Sequence, residues 1–153
     1  MSVASFLQGT GVDNNGRTFT NVMSHDDNWF EVEHDYIQWL FPLLEESNNV
    51  HDAPILTLEE VELIKGDPQA LGNQSLALER MVQFYTKNNH WLVLMDHNHL
   101  RITRILKSVR LLQSLPVAEA FYNLLMERVR EVGSPIQARN LAYWTDAIGL
   151  SYN

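Results

Sequence analysis

"HNHLRITRILKSVRLL", residues 97–112, decides the fold. Ile102, Ile105, Leu106, Val109 and Leu112 recur at three- and four-residue intervals, the period of an amphipathic helix. Arg101, Arg104 and Lys107 step by three along another side, so charge and apolarity separate onto different faces. The spacing predicts a helix from about His97 to Gln113.

Working outward, Pro116 opens a helix through Phe121, Leu125 and Val129 that closes at Gly133. Ser134 and Pro135 start a last one, running to about Ala147. Towards the N-terminus, "WLVLM" (91–95) reads as helix or loop, and Asp67-Pro68 starts a helix reaching about Lys87. "TLEE" (57–60) is a capping box opening a short helix that ends at Gly66. Asp26 or Asp27 caps a helix to about Phe41, with Trp29, Val32, Tyr36, Ile37 and Leu40 as its apolar stripe. "ESNNVHDAP" (46–54) reads as a loop, and the first 24 residues as an irregular arm with a turn at "DNNG" (13–16). That turn is not a calcium loop, because Gly11 and Val22 stand where ligands would be needed. The expectation is all-α: about six helices in a single domain over 1–153, with the helical core at 25–149.

Composition narrows the function classes. An apolar fraction of 45% in 153 residues is that of a folded globular chain. With no cysteine there is no disulfide framework and no thiolate chemistry. No apolar run approaches the roughly 20 residues of a membrane helix, and no secretory signal opens the chain, so a cytoplasmic location is expected. Net charge is −8, unevenly spread: residues 1–79 carry two basic and 14 acidic residues, residues 80–153 nine basic and five acidic. An acidic protein overall is a poor fit to nucleic acid, whose affinity rests on phosphate neutralisation.

"HDYIQWLFP" (34–42) sets polar groups on what reads as a buried helix. His34 and Gln38, four apart, would share one side of it, beside Tyr36. With the guanidinium groups of Arg101 and Arg104, which suit a carboxylate or phosphate, they form a candidate polar seam. The alternative is a basic face paired with Asp35, Glu45 or Glu46 of the acidic half. "HNH" (97–99) matches a nuclease motif in letters only, since that motif sits on a ββα scaffold. His34-Asp35, with His25 and Asp96 or Asp146, follows the order of HD-type phosphohydrolases, but adjacent helical residues diverge by about 100°. No HExxH, phosphate loop or GxSxG elbow is present.

Four stretches carry a resemblance: "GRTF" (16–19), "EHDYIQWLFP" (33–42), "APILT" (53–57) and "HNHLRITRILKSVRLL" (97–112). They resemble the opioid growth factor receptor conserved region, from about Phe6 to at least Leu125. The resemblance implies a helical binding domain. Animal members are described as intracellular, perinuclear receptors for an enkephalin peptide, carrying this region ahead of a long repeat-bearing tail. This chain reads as a short stand-alone member. The resemblance implies no catalytic residue, metal or cofactor.

The expected function is a binding module that holds an anionic small molecule or peptide through Arg17, His34, Tyr36, Gln38, His97, Arg101 and Arg104. The motif helices would pack through Trp39, Leu40, Ile102 and Ile105. Two other readings stand: an HD-like hydrolase, and a purely structural seam in an interaction domain. Trp29 could also serve a homodimer patch.

Overall fold

The computed structural model describes residues 2–47, 50 and 52–149, so part of the expected 46–54 loop lies outside the described residues. Among these residues the chain is helical and no strand forms, as the period-3.6 patterns demand. Backbone contacts gather into two units, Met1–Arg80 and Met81–Asn153.

The first unit holds α1 (Val3–Gln8), α2 (Phe19–Met23), α3 (Asp27–Val32), α4 (Ile37–Leu40), α5 (Leu58–Lys65) and the part of α6 (Pro68–Lys87) up to Arg80. The first 24 residues therefore carry two short helices where an irregular arm was expected. Six- and five-residue helices are not stable alone, and packing makes them. Phe6 and Leu7 of α1 are fully buried, and Phe6 meets the rings of Phe19 and Trp39 edge-on. The α6 amide of Asn73 donates to the Leu7 carbonyl at 2.7 Å, and Gln8 donates to Asp67 at 2.7 Å. Caps set the boundaries. Thr18 and Asn21 form one capping box, Thr57 and Glu60 another, and Asp67 accepts from the amides of Gln69 and Ala70. Gly11 allows a close approach, since a Cβ there would crowd Ser5 and lie 3.2 Å from the Phe6 nitrogen.

The single helix expected over residues 26–41 is broken. α3 ends at Val32, Glu33 turns extended (ψ 145°), and α4 starts at Ile37. The Tyr36 hydroxyl donates to the Phe30 carbonyl at 2.5 Å, an acceptor that the next helical turn would otherwise use. Val32, placed on the apolar stripe, is 63% exposed in consequence.

The second unit holds the rest of α6, then α7 (Asn98–Leu112), α8 (Leu115–Glu131) and α9 (Ala138–Ala147), with α7 packed on α8 and α9. Ile102, Ile105, Leu106, Val109 and Leu112 are all buried, as their spacing predicts. "WLVLM" is a loop pinned by Trp91, whose buried indole N–H donates to the carbonyls of Tyr85 (3.1 Å) and Asn88 (2.8 Å). α9 starts later than expected. Gly133 and Ser134 both take positive φ (83° and 54°), so the chain turns first and the helix begins only after Gln137.

Candidate functional site

In the first unit the polar positions converge on Arg17. The "DNNG" turn is closed by Asp13, whose buried carboxylate accepts from the amides of Asn15 and Arg17, each at 2.9 Å, and from Arg17 Nε at 2.7 Å. Arg17 reaches on to Asp35 at 2.9 Å, and Asn15 also donates to Asp35. Its guanidinium lies over the Trp29 ring, 5.4 Å from the centroid. Burial opposes the charge on Arg17, but hydrogen bonds to and charges on Asp13 and Asp35 outweigh it and raise its pKa. Arg17 is thus the clamp that ties the N-terminal turn to the segment joining α3 and α4.

That segment carries three of the expected site residues, in different settings. His34 is exposed in the non-helical connection. Tyr36 is fully buried, its hydroxyl engaged by Phe30. Gln38 lies buried on α4 at 7% exposure. The break at 33–36 means that His34 and Gln38 do not share a helix face, which corrects the expectation drawn from their spacing. Asp35, an acidic partner considered for the α7 arginines, is bound by Arg17 and Asn15. Among the described residues, His25, His34 and Asp35 do not gather at metal-ligand spacing.

The same unit holds a feature that sequence reading missed. An open cleft of about 460 Å³ is lined by Ser24, His25, Asp26, Asn28, Trp29, Val32 and Glu33. His25 stacks flat on Trp29, with centroids 3.9 Å apart and planes 9° from parallel. Arg80 braces α3 from beneath: it pairs with Asp27 at 2.6 Å, donates to the His25 carbonyl at 3.4 Å and covers the Phe30 ring at 4.4 Å. The signal available in sequence was the four-residue step from His25 to Trp29.

In the second unit the remaining expected residues lie on or beside α7. Asp96 does the capping, accepting from the backbone and side-chain amides of Asn98 at 2.9 and 2.8 Å. His97 is exposed at the helix start. Arg101 and Arg104, one turn apart, are half-buried. Asn98, His99 and Ser108 of the same stretch are fully buried, polar positions the apolar stripe did not predict. The His99 ring bonds the Trp91 carbonyl at 2.8 Å through Nε2 and meets the Asn140 amide at 3.2 Å through Nδ1. A carbonyl only accepts, so Nε2 carries the ring proton and Nδ1 accepts from Asn140. The His99 carbonyl takes the Trp144 indole N–H at 2.9 Å.

These elements define a helical domain with an internally clamped polar turn in one unit and a basic helix in the other. The chain belongs to the opioid growth factor receptor conserved-region family, whose pattern it matches over residues 10–90. It is 37% identical to the rat opioid growth factor receptor (Rattus norvegicus), over 62% of this chain and 20% of that protein. Identity to the human receptor (Homo sapiens) is 39%, over 52% of this chain and 14% of that protein. Opioid growth factor receptor-like protein 1 of Mus musculus is 36% identical, over 58% of this chain and 23% of its own length. The chain thus spans between 14% and 23% of the length of these relatives. No solved structure matches. No helix among the described residues is long and apolar enough to cross a membrane.

Proposed function

We propose that the chain is a ligand- or partner-binding helical module, of the receptor kind its relatives' name describes, and that it takes an anionic group through α7. Arg101 and Arg104 make the primary contact. His97, exposed at the start of the helix, adds a directional hydrogen bond. A peptide carboxylate or a phosphorylated small molecule suits two guanidinium groups one turn apart. The observation that carries the reading is the burial of their platform. Ile102, Ile105, Leu106 and Val109 are fully buried between them and beyond, so the arginines project from a fixed helix. Fixed donors lose less entropy on binding. Of the expected residues in the first unit His34 is the exposed one, while Arg17, Tyr36 and Gln38 set the geometry of the segment that presents it.

A thermal-shift screen of phosphate, phosphorylated small molecules and peptides with free or amidated C-termini tests this. A stabilising anion whose effect Arg104→Ala removes supports the reading, and uniform inertness refutes it.

A second reading is favoured for Arg17 by its own geometry. Both of its carboxylate partners lie within 3 Å and Asp13 is buried, so that part of the polar set acts as structure. Arg17→Ala would then destabilise the fold equally with and without ligand.

A further inference from the structure

We infer that the cleft beside α3 is a docking site for a basic peptide segment, taking a lysine or arginine side chain along the His25–Trp29 stack and Val32 with its cation at Asp26 and Glu33. The first unit already holds cations twice in this manner. Arg80 pairs with the Asp27 carboxylate and lies over the Phe30 ring. Arg17 pairs with Asp13 and Asp35 and lies over the Trp29 ring. In each case carboxylate and aromatic face act together, a combination suited to a guanidinium or ammonium. The cleft repeats it with Asp26 and Glu33 as acids and the stacked His25–Trp29 pair as rings.

Three properties fix the occupant. The volume of about 460 Å³ lies in the range of ligand sites and would admit one long side chain with its flanking backbone. Val32 is 63% exposed at its edge, an apolar surface that the methylene stem of lysine or arginine can cover while its head stays wet. The charge is one-sided: residues 1–80 carry 14 acidic and three basic residues, and both arginines among the three are bound to carboxylates of the same unit. A positive partner is drawn to such a surface and a negative one repelled.

Trp29 reports occupancy, because Trp39, Trp91 and Trp144 are buried. The full chain is titrated with a short oligoarginine peptide, acetylated and amidated at its ends, by calorimetry and by tryptophan emission. Asp26→Asn with Glu33→Gln removes two charges and keeps the helix cap, since asparagine caps as well as aspartate. Glu59→Gln with Glu62→Gln removes two exposed charges from α5 as the control. The expected result is a change in emission, absent in Trp29→Phe, and affinity about tenfold weaker in the cleft variant than in the control. No binding, or equal weakening by both pairs, overturns the inference. Oligoglutamate binding at the same site would overturn it too.

Discussion

Asp13 and Arg17 hold each other twice, backbone amide to Oδ1 at 2.9 Å and Nε to Oδ2 at 2.7 Å, with Asp13 almost wholly out of water. Removing the cation strands a buried carboxylate, so Arg17→Ala should lower unfolding free energy by about 3 kcal/mol, and Arg17→Lys by less. Urea denaturation measures both. The raised pKa of Arg17 places its contribution below that pKa, to be lost only as pH rises through it in strongly alkaline solution. The Arg17→Ala deficit should therefore be the same at pH 6 and pH 9.

Tyr36 to Phe30 is the bond that ends α3. Tyr36→Phe deletes one buried hydroxyl donor and leaves the carbonyl short of a partner, for a loss of about 1–2 kcal/mol. Hydrogen exchange should show faster exchange confined to residues 30–37. Unchanged exchange there would mean the break is held by other contacts.

This bond explains why the sequence misled at 26–41. The apolar spacing of Trp29, Val32, Tyr36 and Leu40 is truly helical in period, but a phenol-to-carbonyl bond across six residues leaves no trace in periodicity. Tertiary bonding overrides local propensity there. α7 was legible because its stripe, length and neighbours all agree. The helices of the first 24 residues were not, since six- and five-residue elements take their stability from packing. Of the site, Arg17 could be singled out as the lone arginine of an acidic stretch, yet its two partners needed the fold. The burial of Asn98, His99 and Ser108 was hidden because polar letters on a helix read as exposed.

His99 links three elements of the second unit. It joins the Trp91 loop through Nε2, and α9 through Asn140 and Trp144. His99→Ala opens a cavity and strands the Trp91 carbonyl, at a cost of about 3 kcal/mol, and Asn140→Ala costs about 1 kcal/mol. A double-mutant cycle should return a coupling of at least about 0.5 kcal/mol; strict additivity would contradict the bond between His99 and Asn140.

Binding at α7 should depend on guanidinium geometry as well as charge. Arg104→Lys keeps the charge and loses the planar fork, so it should bind a carboxylate or phosphate more weakly than the unmodified chain and more tightly than Arg104→Ala. Raising salt from 50 to 300 mM should weaken all three, as exposed charge pairs are screened.

The most direct test of the central claim is calorimetric titration of the folded chain with the best anion from the screen, beside Arg101→Ala and Arg104→Ala variants shown by circular dichroism to keep their helices. The account predicts saturable binding to the parent chain and affinity at least about tenfold weaker in each variant, as loss of a charge-assisted hydrogen bond implies. Equal affinity in all three folded proteins would contradict it.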